Sequence, residues 1–331
     1  MSLVVYQPDS AIYYFVMRYV PLAREVIVVM NMVNFLNLRY FVRVAEEKNI
    51  TRVAEQEHIS QQSLSNHIKK IETEYGVQLF DRTGGLTLTY AGEQMYNYAV
   101  KFLSLRHDME NELLDMENTE QGTLRIGISY TRGSAFLPDI LPEFCRRNPF
   151  VKISIIENNS QMLEEYLLHG HIDLYIGADM RPHAEIETVE LMHEKMYFIV
   201  PEKIAARLGN DAYNILDLEK EPFLLLSRGN RIREMFDEYT RAENINVRVS
   251  LEAENIETLF ELACKGMGIT VYPEMFLRRH RDILNSARSP VTVIPLGKRF
   301  SESILFIAYH KNKYRSRAAR EFIENAKKNC R

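Results

Sequence analysis

Three cysteines in 331 residues, Cys145, Cys264 and Cys330, stand far apart, without the short spacings of metal ribbons or redox pairs. A disulfide scaffold is therefore excluded, and the thiol usage fits a chain kept in a reducing cytoplasm. Long apolar runs are missing as well. The stretch Ala11 to Met17 is too short to span a bilayer, and Arg18, Arg24 and Glu25 put charge into the residues after it. Asp9 precedes it, no basic segment leads into it and no small-residue cleavage site ends it, so it does not read as a secretion signal. Nor is there a basic excess: 41 Lys and Arg against 45 Asp and Glu give a net charge of -4, which argues against broad polyanion affinity. Catalytic signatures are the last absence. There is no phosphate loop, nucleophile elbow or zinc-protease helix, and Gly266-Met267-Gly268 lacks the third glycine and preceding strand of a dinucleotide loop. His169 and His171 flank Gly170 with Asp173 close behind, but side chains flanking a turn glycine seldom converge on a metal. Neither an enzyme, a metal site nor a cofactor is expected.

The rest is ordinary in bulk and specific in pattern. A hydrophobic content of 46% and a charged content of 26% are those of a soluble globular protein, and the length suggests about two domains. Residues 1–31 read as an extension, either dispensable, with Met30 and Met32 just ahead of the first module, or an added helix.

From Phe35 to Gly92 three short helical patterns succeed one another. Leu38, Phe41, Val42 and Ala45 form one apolar stripe. Asn49 caps a second helix carrying Val53 and Ala54, and Ser60 caps a third whose apolar members are Leu64, Ile68, Ile71 and Tyr75. That stripe turns Gln62, Asn66 and Lys69 outward, flanked by Gln61 and Ser65. Amides pair bidentately with adenine edges, hydroxyls adapt to either strand, and a lysine neutralises phosphate, so the face suits a major groove. An ordinary solvated helix face would have the same polarity. Charge does not decide, since the seven basic residues (Arg39, Arg43, Lys48, Arg52, Lys69, Lys70, Arg82) are balanced by seven acidic ones (Glu46, Glu47, Glu55, Glu57, Glu72, Glu74, Asp81).

The order of residues says more. Leu38-Arg39-Tyr40-Phe41, Ala45-Glu46-Glu47, Thr51-Arg52-Val53-Ala54, Ile59-Ser60-Gln61, Leu64-Ser65, Gly76-Val77-Gln78-Leu79-Phe80-Asp81-Arg82 and Leu88-Thr89-Tyr90-Ala91-Gly92 together resemble the DNA-binding domain of LysR-type transcriptional regulators. The resemblance implies a winged helix-turn-helix with Ser60 to Glu72 as recognition helix and Leu79 to Thr89 as wing. It implies Gln61, Ser65 and Asn66 toward the bases and Arg82 beside the backbone. Ser60, Gln61, Gln62, Ser65, Asn66, Lys69 and Arg82 are the candidate DNA-binding residues. Four positions depart from the pattern: Gln62 stands where proline is usual, Asn66 where arginine or histidine is common, Gly84-Gly85-Leu86 where the wing tip is often basic, and Glu57 where the family is apolar.

Between Glu93 and Asn118 there is neither proline nor glycine. Met95, Ala99, Phe102, Arg106, Met109, Leu113 and Met116 make a heptad seam broken only by Arg106, widened by Tyr98 and Leu105. A seam of that length must be buried against another surface, either a second copy or the chain's own C-terminal part. Pairing with a second copy is preferred, because two recognition helices can then meet successive major grooves of a palindromic site. The resemblance likewise implies an antiparallel linker-helix pair.

Beyond Gly122 strands and helices alternate. Strands are expected at Thr123–Ile128, Val151–Ile156, Ile172–Ile176, Met196–Val200, Phe223–Leu226, Val247–Leu251, Ile269–Tyr272, Val291–Pro295 and Ile304–Tyr309. Helices are expected at Phe136–Arg147, Gln161–His169, Ile256–Lys265 and from about Ser316 to Lys328. The alternation predicts parallel α/β sheets in two lobes, the first about 122–197 with 300–331 and the second about 198–299. Ligands in such folds sit beyond the carboxyl ends of strands. Those ends supply Ser129, Tyr130, Thr131, Arg132, Asn159, Ser160, Asp179, Ser227, Gly266 and Met267 as candidate effector-binding residues, with Asn158 and Arg228 beside them. Hydroxyls and free N–H groups at helix starts favour a small anion, although such residues also cap helices everywhere.

Gly127, Leu137-Pro138, Phe144, Asn148-Pro149, Gly170, Ile172-Asp173-Leu174, Pro222-Phe223, Gly266-Met267-Gly268-Ile269 and Pro273 resemble, more loosely, the co-inducer-binding domain of the same family, itself similar to periplasmic binding proteins. The expected fold class is α/β multidomain: extension 1–31, winged helix-turn-helix 32–92, linker helix 93–119 and two-lobed effector domain 120–331. The expected partners are double-stranded DNA at an interrupted palindrome, a second or further copies as homodimer or homotetramer, and a small anionic effector, with room for RNA polymerase and none for a membrane. A cytoplasmic small-molecule binder whose N-terminal module contacts protein is the other reading.

Overall fold

Asn34, Asn49 and Ser60 each open a helix by accepting backbone N–H bonds in the first turn that no carbonyl can satisfy. In this computed structural model the described residues are 34–117, 120–208, 218–286, 288–296 and 302–330, so the expected extension at 1–31 lies outside them. Two units divide the chain, one ending at Leu103 and one beginning at Ser104.

In the first unit, α1 (Phe35–Glu47), α2 (Ile50–Gln56) and α3 (Gln61–Tyr75) bury Leu38, Phe41, Val44, Val53, Leu64, Ile68 and Ile71 against one another. Tyr75, expected in that stripe, is exposed: α3 ends there, and Gly76 at φ 67 turns the chain away before the ring reaches the core. The wing is a hairpin of β1 (Phe80–Asp81) and β2 (Thr87–Leu88), with Phe80 opposite Leu88 and Gly84 and Gly85 at its tip. Gly92 is required by packing, because a Cβ there would lie 2.1 Å from the Leu79 carbonyl oxygen. The long helix α4 (Tyr90–Met116) begins three residues before the expected Glu93, since the Thr89 hydroxyl accepts from the Gly92 N–H and caps the earlier turn. Ala99 and Val100 are buried in the first unit's core, whereas Tyr98, Phe102, Leu105, Met109, Leu113 and Met116 are exposed.

The second unit is built on β3 (Gly122–Ile128), β4 (Val151–Glu157) and β5 (Leu174–Ala178), which pair in parallel. Helices α5 (Tyr130–Arg147) and α6 (Ser160–His169) make the crossovers. The expectation of parallel pairing does not extend to the next strand. β6 (Ile186–Pro201) is one strand of 16 residues, of which the apolar run Met196–Val200 is only the buried end. Up to Lys195 it pairs antiparallel with β11 (Glu302–His310). From Met196 it pairs antiparallel with β9 (Thr270–Pro273) and β10 (Val291–Pro295). The result is a seven-stranded mixed sheet, with β7 (Pro222–Leu226) and β8 (Arg248–Ala253) forming a separate parallel pair that a bridge from Phe223 to Ile269 sets beside β9.

Helices α7 (Glu202–Leu208), α8 (Arg231–Ala242), α9 (Ile256–Cys264), α10 (Glu274–Leu277), α11 (Arg281–Leu284) and α12 (Arg317–Asn329) complete the unit. Three apolar clusters result among the described residues: one around Ile126, Phe144, Ile176 and Phe322, a smaller one around Leu163, Leu167, Tyr175 and Phe306, and one around Phe198, Phe223, Phe236, Phe260 and Tyr272. β6 is the strand common to both lobes. Among the described residues no helix is long and apolar enough to cross a membrane.

Candidate functional site

Leu64, Ile68 and Ile71 are buried along one side of α3, and that fixes what the other side presents. Gln61, Gln62, Asn66 and Lys69 are exposed and Ser65 is half-buried. Ser60 is also exposed, but its hydroxyl accepts from the Ser63 N–H at 3.1 Å, so its first task is the cap. Arg82 is exposed on the wing, directly after Asp81, whose carboxylate accepts from the Thr83 N–H at 2.8 Å. The orientation of α3 has a further anchor that periodicity did not signal. His67 Nδ1 lies 2.7 Å from Asn37 Oδ1 and its ring packs edge-on against Tyr40. Burial, then Lys70, depresses the His67 pKa, which favours the neutral ring. Glu57, set where an apolar residue was anticipated, is ion-paired with Arg39 at 2.8 Å and Arg43 at 3.9 Å. With Arg52 3.3 Å from Glu47, three of the module's seven cations are occupied within the module itself.

In the second unit a cavity of about 170 Å³ opens between the lobes, lined by Ser129, Tyr130, Asn158 and Asn159 on one side and Ser227, Arg228, Asn230 and Glu254 on the other. Three of these residues begin helices. Ser129 caps α5, Asn159 caps α6 and Asn230 caps α8, each accepting an N–H from the first turn. The positive ends of three helix dipoles therefore meet at one small space, which favours a negative group there. The lobes are tied beside it: Gln161 N–H donates to the Gly229 carbonyl at 3.4 Å, and Arg231 Nε donates to the Asp179 carbonyl at 2.9 Å.

Ser129, Tyr130, Asn159 and Ser227 are thus brought together as the strand-end rule expected. Asn230 and Glu254 were missed, although an asparagine two residues before Ile232 is a readable helix start. The Thr131 side chain lies outside the described residues. The other candidates are drawn elsewhere. Arg132 is 4% exposed and Glu194 1%, with Nη1 and Oε1 2.6 Å apart, so the guanidinium is spent inside the protein. The Ser160 hydroxyl pairs with the phenol of buried Tyr175, whose pKa burial pushes up to about 12. Asp179, at φ 50, accepts from the Ile304 N–H at 2.9 Å and the Ser303 hydroxyl at 2.5 Å, fastening β5 to β11. Gly266 and Met267 terminate α9, donating to the Ala263 and Leu262 carbonyls, and do not line the cavity.

His169, His171 and Asp173 part company as well. His169 Nδ1 bonds the Glu165 carbonyl oxygen at 2.8 Å, and His171 packs on the Tyr166 ring. Asp173 accepts from the Arg125 N–H at 2.8 Å, from Arg125 Nη2 at 2.5 Å and meets His107 Nε2 at 3.1 Å. Burial pushes the Asp173 carboxyl up, but hydrogen bonding to His107 and the charge of Arg125 outweigh it and hold the pKa at about 2. His107 belongs to the last turns of α4, whose Asn111 also clasps the Thr123 backbone and whose Asp115 accepts from the Tyr314 hydroxyl and the Arg317 N–H. Among the described residues no cluster of three or more metal-ligating side chains occurs.

Both units have counterparts among known proteins. Residues 35–93 match the model described as bacterial regulatory helix-turn-helix protein, lysR family, and residues 117–331 match the LysR substrate binding domain. The transcriptional dual regulator GltC of Bacillus subtilis (strain 168) is 31% identical over 242 residues, 72% of this chain and 79% of that protein. The uncharacterized HTH-type transcriptional regulator YybE of the same organism is 26% identical over 288 residues, 86% of this chain and 95% of that one. Full-length OxyR from Pseudomonas aeruginosa matches with a TM-score of 0.65 at 26% identity, covering 91% of this chain and 95% of that one. Full-length CbnR, solved in complex with its target DNA, matches with a TM-score of 0.62 at 21% identity, covering 90% of this chain and all of that one, a likeness of fold.

Proposed function

The chain belongs to the LysR family of DNA-binding transcriptional regulators, and from that premise we propose that it reads an interrupted palindrome in the cytoplasm as a homodimer or a pair of dimers, under the control of a small effector bearing an anionic group. The observation that carries this reading is the exposed face of α3, held outward by Leu64, Ile68 and Ile71 and offering amides and a hydroxyl at its N-terminal half. Gln61, Gln62, Ser65 and Asn66 read base edges in this scheme, while Ser60, Lys69 and Arg82 meet the backbone. The exposed row Phe102, Met109 and Met116 supports pairing of α4 with a second copy. The three capped helix starts around the interlobe cavity support an anionic effector group. Its binding acts by favouring one arrangement of the lobes over another, which requires unequal affinity for the two.

The test begins with fragments of genomic DNA selected by the purified protein and measures their affinity against scrambled duplexes. Ser65→Ala combined with Asn66→Ala should cost about 1–3 kcal/mol for each lost base contact and leave nonspecific affinity nearly intact. Full sequence discrimination in that double variant would remove α3 from its assigned role. For the cavity, Asn159→Ala should blunt the transcriptional response to the cognate effector in a reporter strain.

A further inference from the structure

Arg228 and Glu254 sit on neighbouring strand ends with opposite charges and do not pair with each other. β7 and β8 run parallel with Leu226 opposite Ala253, and the ladder continues one step further through the Ser227 N–H to the Ala253 carbonyl at 2.9 Å. Arg228 and Glu254 come directly after. Neighbouring strands lie about 4.8 Å apart, so the backbones of the two residues are within one small molecule's length. Both line the interlobe cavity, and among the described residues neither has a hydrogen bond or ion pair. Three neighbouring arginines, by contrast, are engaged. Arg231 is bonded to the Asp179 carbonyl and Glu234, Arg233 to Asp237 and Glu252, and Arg132 to Glu194.

We propose that the effector of this cavity is a free α-amino acid, its carboxylate held by Arg228 and the helix starts and its ammonium by Glu254. The proposal rests on the reading of this cavity as the effector site and narrows it. A simple anion would answer the helix starts and Arg228 but would face Glu254 as a like charge. A purely cationic ligand would face Arg228 and three positive dipole ends. Only a molecule bearing both charges a few bonds apart satisfies both walls, and a cavity of about 170 Å³ suits a metabolite of that size, below the roughly 300–1,000 Å³ of drug-sized pockets. The amides of Asn158, Asn159 and Asn230 and the hydroxyl of Ser227 also line the cavity.

The test uses the full-length protein, calorimetric titration and matched probes: the common L-amino acids and, for each one that binds, its 2-oxo acid and its amide. At least one amino acid should bind, with its 2-oxo acid weaker by tenfold or more because the ammonium is missing, and its amide weaker because the carboxylate is missing. Glu254→Gln should erase the preference for amino acid over oxo acid, and Arg228→Gln should weaken both. Binding of no amino acid, equal binding of the oxo acid, or an unchanged preference in Glu254→Gln each overturns the proposal. Failure of the cavity reading itself gives a different signature: an amino acid that binds equally well to the wild type and to Asn159→Ala and Arg228→Gln sits elsewhere. Oxo acids that bind and are lost in Arg228→Gln leave the cavity standing and remove only the amino-acid assignment.

Discussion

Arg132 and Glu194 form a buried ion pair with Nη1 and Oε1 2.6 Å apart, joining the first turn of α5 to the strand that both lobes share. Among the described residues Glu194 Oε2 has no hydrogen-bond partner, so Arg132 carries nearly the whole task of compensating that carboxylate. Removing one member leaves the other charged in a dry environment. Glu194→Ala or Arg132→Ala should each lose about 3–5 kcal/mol of stability, and a double replacement by methionine should lose less than either. Denaturant titration of the four proteins measures this; a double variant as unstable as the sum of the singles would show the two sites to be independent.

The exposed row on α4 leads to a second expectation. Phe102→Glu and Met109→Glu alter side chains that contribute little to the chain's own cores, so helix content and thermal stability of the separated chain should hold. Self-association should fail. Sedimentation velocity should find monomers where the wild type pairs, and affinity for a two-half-site duplex should drop toward that for one half-site. Unchanged sedimentation in both variants would assign the seam to another partner surface.

Asp173 gives a pH dependence of known sign. Its pKa is lowered from 3.8 to about 2 in the folded chain, so its contribution is full above the unfolded value and is lost as pH falls toward 2. The shift corresponds to about 2 kcal/mol at neutral pH. Asp173→Asn should be less stable than the wild type at pH 7, and the gap should narrow between about pH 4 and pH 2. Urea midpoints at stepped pH check it, and a gap that stays constant through that window contradicts the assigned ion pair.

Gly92→Ala is the sharpest test of the first unit's packing. The added methyl would meet the Leu79 carbonyl oxygen at 2.1 Å, a backbone atom that also accepts the Thr89 N–H. Overpacking of this kind costs about 1–3 kcal/mol. The wing hairpin should loosen, seen as faster amide exchange at Phe80 and Leu88, and DNA affinity should fall with it.

Helix periodicity exposed α1 and α3 to sequence reading because each carries a single apolar stripe facing one core, and α4 because its heptad seam repeats without proline or glycine. The same logic overreached at Tyr75, where position on the stripe was right but the helix had already run past the core. α8 escaped notice because charged residues surround Ile232, Phe236 and Tyr239, although their spacing is helical and Asn230 caps them. Half of β6 was invisible for the opposite reason: Glu187, Glu190, His193 and Lys195 give it a polar texture, and its partner β11 lies over a hundred residues away. At the cavity, residues defined by backbone position (Ser129, Asn159, Ser227) were legible from strand ends. Arg132 was not, since only the fold reveals that Glu194 claims it first.

β6 gives both lobes the same spine. At Lys195 its antiparallel neighbour is Glu302 of β11, and at Met196 it is Pro273 of β9, with no break in the peptide chain between them. Each half is stitched to that strand by ladder bonds rather than joined to the other by a loop alone. A metabolite bound in the cleft therefore acts on two halves that hold one strand in common.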